Sequence, residues 1–250
     1  MSLLKVENVS KRFGSLLAVD NISMTVEPGE LRAVIGPNGA GKTTFFNTIS
    51  GFLTQSSGRI IFDGQDISSL LPARRVWLGI ARTFQITEVF PELSVRENLR
   101  IAVEVASGYR LRVWQSSDAD DEVRARVVDL LAMSNLTEKS DRLVGELAHG
   151  DQRATEIMMA LALRPRLLLL DEPTAGMGDQ ETYDITQLIR KLHREQRLAI
   201  VLIEHDMRVV FHLADRIMVL AEGKMLAEGT PQEIGASEVV QAAYLGKAAA

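Results

Sequence analysis

The sequence contains no cysteine in its 250 residues, which excludes a disulfide-stapled scaffold and fits a cytoplasmic protein. Long hydrophobic runs are also missing. The two most apolar stretches, residues 157–163 and 167–170, are parted by Arg164, Pro165 and Arg166. Neither approaches the ~20 apolar residues that span a bilayer, so no membrane crossing is expected of the chain itself. Residues 1–14 alternate apolar and polar side chains in place of the apolar centre of a secretory leader. There is no surplus of positive charge either: the net charge is -5, which argues against a nucleic-acid backbone as the main partner. What is present, 46% hydrophobic and 24% charged residues, suffices for one substantial core.

Alternation over residues 4–13, and a second run ending at Val26 before Pro28-Gly29, predict an antiparallel sheet, with a hairpin around Asp63-Gly64 added to it. Residues 31–35 read as a compact strand that breaks at Gly36, and residues 42–50 as a helix closed by Gly51. From 88 to 164 the spacing turns helical, over residues 95–105 and 121–133 with a polar joint around 116–121, and predicts an inserted helical subdomain. Residues 167–170 and 198–203 are short apolar runs with a helical pattern between them, as in buried parallel strands joined by a crossover helix. A late strand pair about Glu222-Gly223 and a helix over 238–245 follow, with residues 248–250 expected to trail without order. The fold class expected is α/β: a phosphate-loop core of mainly parallel sheet (residues 1–87 and 165–250, including an antiparallel β subdomain) and the helical insertion at 88–164.

Gly36-Pro37-Asn38-Gly39-Ala40-Gly41-Lys42-Thr43, followed by Thr44, has the phosphate-loop pattern, and it lies between a strand and a helix as that chemistry requires. The glycines let backbone N–H groups point at phosphate oxygens, the helix N-terminus adds partial positive charge, and Lys42 adds a full one. Thr43 is the candidate Mg²⁺ ligand. Leu167 to Leu170 delivers Asp171 and Glu172, the first to hold Mg²⁺ and the second to polarise an attacking water as general base. His205 ends the next apolar strand, where strand ends of an open parallel sheet face the ligand crevice, and could contact a γ-phosphate. His193 and His212 receive no role. Lys42, Thr43 and Asp171 by themselves leave motors, kinases and helicases open.

The order of these segments resembles the ABC ATPase family over nearly the whole chain: a Walker A loop at Gly36 to Thr43, a Q-loop residue at Gln85, a signature-like segment Leu147-Ala148-His149-Gly150-Asp151, a Walker B strand ending in Asp171-Glu172, and a switch histidine, His205. The resemblance implies ATP and Mg²⁺ as cofactors. It makes Gln85 a further metal- and water-contacting residue, Phe13 an adenine-stacking residue, and Ala148 to Asp151 a nucleotide contact supplied across a head-to-tail dimer. It implies integral membrane permease subunits as partners, a second cassette (a paralogue or a second copy), a periplasmic binding protein indirectly, and a place at the cytoplasmic face of the inner membrane. The segment around residues 86–95, with Val89, Phe90 and Leu93, would receive a helix of the permease.

This chain departs from the family's pattern at two places. Ala148 stands where a serine hydroxyl is usual, and Gly178 where an aspartate is common. Asp151 could cap the helix that follows, and its charge is expected to face ribose or solvent. Residues 79–85, 171–177 and 203–207 resemble the LivG-type ATPases of bacterial importers for branched-chain and other hydrophobic amino acids. The alternatives are importers of urea, amides or aromatic acids, lipopolysaccharide export, a soluble non-transport ABC protein, or a cassette that only clamps ATP.

Overall fold

Residues 2–83, 88–108 and 117–245 are described in the structure, a computed structural model. The chain opens with β1 (Leu4–Phe13), β2 (Leu16–Val26), β3 (Leu31–Ile35), α1 (Lys42–Ser50), β4 (Ser57–Phe62), β5 (Gln65–Asp66), α2 (Pro72–Trp77) and β6 (Ile80–Arg82). Then come α3 (Val95–Ala106), α4 (Ser117–Met133), α5 (His149–Ala162), β7 (Leu167–Asp171), α6 (Asp179–Gln196) and β8 (Ala199–Ile203). It closes with α7 (Met207–Leu213), β9 (Arg216–Ala221), β10 (Lys224–Gly229), α8 (Pro231–Gly235) and α9 (Glu238–Leu245). Strands β2-β1-β4-β5 form an antiparallel sheet, and β10-β9-β3-β8-β7-β6 a second sheet in which only β10 runs antiparallel to its neighbour.

Every residue of β3, β7 and β8 is buried. Alternate side chains of each strand enter different clusters, because successive Cβ atoms point to opposite faces. Leu31, Leu168, Leu170, Ile200 and Leu202 pack with the apolar faces of α3 to α7. Val34, Leu167, Leu169, Val201 and Ile203 pack with Phe45, Phe46 and Ile49 of α1 and with the antiparallel sheet. Burial on both faces is why β7 and β8 read as nearly continuous apolar runs, while β3 admits one charge, Arg32, paired with Glu30 and Glu228. The three-residue β6 is too short to show any period; it forms by pairing with β7, Ile80 opposite Leu167 and Arg82 opposite Leu169.

Helix α1 ends where Gly51 adopts a left-handed φ of 85°. The buried Arg75 guanidinium then donates to the carbonyls of Thr48 and Ile49, at 2.7 Å each. A cation at the C-terminal end satisfies orphan carbonyls and opposes the helix dipole, and burial brings the Arg75 pKa down to about 10. In α3 the Ser94–Glu97 capping box fixes the start. Buried Asn98 bonds Phe90 in both directions and so holds residues 90–94 against that helix.

The polar joint expected at 116–121 is instead largely helical, since α4 begins at Ser117. Acidic side chains suit a helix N-terminus, and Asp120 pairs with Arg124 one turn on and with Arg100 of α3. The expected tail at 248–250 lies outside the described residues.

His193 of α6, with no role read from sequence, bonds Asp215, whose carboxylate also accepts from Leu31 N at 2.8 Å. The Asp215 hydrogen bond raises the His193 pKa against the opposing effect of burial, and the His193 contact lowers that of Asp215. The histidine's contribution is therefore full below its unfolded value of about 6.5 and is lost as pH rises through its raised folded value. The aspartate's is present above its unfolded value of about 3.9 and is lost as pH falls through its lowered one. Thermal melts of wild type and His193→Ala should accordingly differ most between about pH 4 and 6.5 and converge at higher pH.

Candidate functional site

The loops that leave β3, β7 and β8 meet at one edge of the parallel sheet, and the first of them wraps residues 36–41 around the start of α1. Two glycines there are required by space as well as by backbone angle. A Cβ on Gly36 (φ 152°) would stand 2.1 Å from the Leu220 carbonyl, and one on Gly41 (φ 96°) 2.4 Å from that of Ala18. The loop is pinned by Ala40 N to the Pro37 carbonyl at 3.1 Å and by Gly223 N to the Ala40 carbonyl at 3.1 Å.

Lys42 is buried and donates to the carbonyls of Gly36 (2.7 Å) and Pro37 (3.1 Å). Burial lowers its pKa, opposed by the nearby Glu172 and Asp171 carboxylates. A cleft of about 490 Å³ opens over the loop, lined by Asn38, Gly39, Ala40 and Gly41 and by the side chains of Lys42, Thr43, Thr44, Glu172 and His205. Its other wall is β2, through Leu16 to Ala18. Phe13 lies at the end of β1, 45% exposed with Lys11 5.1 Å from its ring centroid, and is not among the cleft-lining residues.

Asp171 ends β7 inside the protein, and Arg82 of β6 donates to it at 2.8 Å while also bonding Asn47 and Ser50 of α1. Both members of the pair are nearly shielded from solvent. Burial raises the Asp171 pKa and lowers that of Arg82, in each case against the pull of the partner. The ion pair therefore offsets only part of the cost of burying its charges.

Glu172 follows with a left-handed φ of 47°. Its amide donates to Ile203 O at 2.9 Å, and its carbonyl accepts from the buried Arg153 of α5 at 3.1 Å. Its Oε1 lies 2.5 Å from His205 Nε2, and the imidazole is the more exposed of the two. Glu172 and His205 are thus paired at the mouth of the cleft that holds the phosphate loop.

The signature-like segment sits elsewhere in the chain's surface. Ala148 is the N-cap of α5 without a side-chain bond, and His149, Gly150 and Asp151 form the first turn. Asp151 therefore does not cap the helix. Its partly exposed carboxylate is paired at 2.6 Å with Lys139. The amide of Gly150 is met by Glu181 Oε1 of α6 at 2.9 Å, and this bond together with one from Gly178 lowers the Glu181 pKa. Ala148, Gly150 and Asp151 line a second cleft of about 450 Å³ whose lining includes no residue of the phosphate loop. Gly178 has φ -71° and open space where a Cβ would go, so nothing in its surroundings requires glycine. Gln85 lies outside the described residues.

Residues that carried no role in the sequence reading surround these segments: Arg82 and Arg153 beneath the two carboxylates, Glu181 of α6 against the signature helix, and Glu204 behind His205. The available signal was a charged side chain inside or just after an apolar run. Arg82 and Glu204 fit it; Arg153, paired with Glu156 one turn on, precedes the apolar run of its helix and carries no such mark.

A glycine loop gripping the start of α1, a lysine beneath it, and carboxylates at a neighbouring parallel strand end define a phosphate-loop nucleotide-binding protein. Comparison with known proteins narrows this class. The family model "ABC transporter" matches residues 19–175, and the model "Branched-chain amino acid ATP-binding cassette transporter" matches residues 224–250. The high-affinity branched-chain amino acid transport ATP-binding protein BraF of Pseudomonas aeruginosa is 40% identical, with 98% of each chain covered. The protein of the same description, LivG, of Escherichia coli K12 is 39% identical, again over 98% of each chain. Among solved structures, the ADP conformation of an ATP-binding cassette of an ABC transporter superposes with TM-score 0.86 at 31% identity, covering 98% of this chain and 99% of that one. A dimeric cassette with ADP and Pi gives 0.76 at 25% identity, over 91% and 98%. The chain belongs to the ABC transporter family, as an ATP-binding cassette.

Breaking a buried pair from one side leaves an uncompensated charge, so Arg82→Met should lower unfolding free energy by about 3–5 kcal/mol in denaturant titrations. Adding Asp171→Asn to that variant should restore a part of it.

Proposed function

We propose that this cassette hydrolyses ATP to power a bacterial importer, with branched-chain or other hydrophobic amino acids as the cargo. The observation that carries the hydrolytic part is the convergence of Lys42, Glu172 and His205 on one cleft beside the glycine loop. The cargo is supported by the relatives' descriptions and by the match of the C-terminal residues 224–250 to a branched-chain amino acid cassette model.

In this reading the loop amides and Lys42 hold the phosphates, Lys42 exchanging its two carbonyl partners for phosphate oxygens. Glu172 accepts a proton from the attacking water, and His205 fixes the carboxylate and reaches the terminal phosphate. The donor set fits Mg²⁺, which keeps several waters and takes few protein ligands: the Thr43 hydroxyl lines the cleft, Asp171 stands at the strand end, and no group of three or more His, Cys, Asp or Glu among the described residues could hold an ion alone. Bound there by Thr43, Asp171 and, by resemblance, Gln85, it would neutralise charge developing on the phosphates.

Because the signature segment and the phosphate loop line different clefts of one chain, each nucleotide needs a second cassette to close over it, a paralogue or another copy. The dimeric relative supports this arrangement. No described helix is long and apolar enough to cross a membrane, so permease subunits would supply the channel, with Phe90, half exposed beside the Asn98-held segment, facing a permease helix at the inner membrane's cytoplasmic face.

ATP turnover per chain should therefore rise with protein concentration or on addition of a partner cassette. Glu172→Gln should lower kcat by on the order of 10²–10⁴-fold, the worth of a general base. Turnover per chain independent of concentration, or a Glu172→Gln variant as fast as wild type, would contradict the proposal.

A further inference from the structure

Behind the Glu172–His205 pair lies a buried carboxylate that the reaction does not use. Glu204 is 3% exposed, and among the described residues it has four donors and no cationic partner. Its Oε1 accepts from the amide of Thr174 at 3.1 Å and from the Thr174 hydroxyl. Its Oε2 accepts from the amides of His205 at 2.6 Å and Asp206 at 3.2 Å. One oxygen thus serves the turn after β7 and the other the turn after β8. A buried carboxylate without a counter-charge is costly unless its lone pairs are filled, and four donors fill them.

We propose that Glu204 is the positioning residue for the Glu172–His205 pair. The two turns it bridges are those that carry the two side chains, and each has little freedom once the bridge is made. Glu172, in its left-handed conformation, is already held through its own amide to Ile203 and its carbonyl to Arg153. Arg153 also donates to Pro173 O at 3.2 Å, so the turn leading to Thr174 is fixed from the α5 side. Glu204 fixes it from the β8 side, and through the same side chain fixes the backbone from which the imidazole of His205 springs. The ring of contacts closes at the 2.5 Å approach of His205 to Glu172. Any displacement of the loop after β7, where α6 and its Glu181 contact to the signature helix begin, is carried by Thr174 and Glu204 to His205.

Glutamine is the discriminating substitution. It keeps the size, but it offers one oxygen in place of two and turns an NH₂ toward two donors, so one of the two turns must be released. The proposal rests on the hydrolytic reading above, and the experiment separates the two. In the full chain, Glu204→Gln should bind ATP within about twofold of wild type, since no phosphate-loop contact changes, while kcat falls by about tenfold or more at an unchanged KM. Combined with His205→Ala it should cost no more than His205→Ala alone, because both act through one group. Amide hydrogen exchange over residues 172–176 and 203–207 should be faster by about tenfold or more in Glu204→Gln, with the other strands of the sheet unchanged. Thr174→Val, which removes one donor and leaves the carboxylate, should show the same pattern at smaller size. An unchanged exchange rate, or a kcat loss that multiplies with that of His205→Ala, overturns the proposal. A wild type that binds ATP without turning it over overturns the hydrolytic reading instead, and exchange then decides on Glu204 by itself.

Discussion

Three parallel strands, β3, β7 and β8, are buried on both faces, and that single constraint decides where chemistry can occur. Along such strands a charge must be paired, as Arg32 of β3 is with Glu30 and Glu228, so reactive groups belong at the strand ends. The glycine loop, Asp171 with Glu172, and Glu204 with His205 follow the C-terminal ends of these three strands, and the parallel pairing sets those ends side by side. The sheet positions the groups, and the apolar clusters on its two faces keep them there. Polar contacts then refine what the sheet places roughly: Lys42 under its loop, Arg82 on Asp171, Arg153 behind Glu172 and Glu204 behind His205.

These contacts share an energetic character. Each puts a full charge where water is excluded, and each is tolerated because several donors or acceptors converge on it. For Arg82 and Asp171 burial outweighs the pairing, as the direction of both pKa shifts shows. Such an arrangement contributes definition of geometry more than stability. It suits a site that must hold a left-handed Glu172 and an exposed imidazole in register without help from the ligand.

Most of the scaffold is legible in the sequence because it rests on local patterns. The alternation of β1, the apolar runs of β3, β7 and β8, and Gly51 at the end of α1 each announce their element. The placement of Lys42, Thr43, Asp171, Glu172 and His205 at neighbouring strand ends is legible as well, since their spacing relative to the apolar runs gives it. The short β6 and the helical start of α4 are not: the first exists through pairing with β7, the second through Asp120 meeting Arg100 across the helix pair. Asp151 reads as a cap when only its own helix is considered. The N-cap is Ala148 instead, and Lys139, twelve residues away in sequence, holds the Asp151 carboxylate. Glu204 and Arg153 belong to the same class. Their letters are visible, yet their partners come from other strands and helices, so their roles exist only in three dimensions.

One property of the fold governs the proposed use of the rest: the phosphate loop lines one cleft and the signature-like segment another. The most direct test is equilibrium binding of ATP to the monomeric chain at low protein concentration, comparing Lys42→Ala with Gly150→Ala. If Lys42 holds the phosphates as proposed, its loss should weaken binding by about tenfold or more, while Gly150→Ala should leave it within about twofold. Equal losses in the two variants would mean that one chain's signature segment already touches its own nucleotide, and the division into half-sites would be wrong.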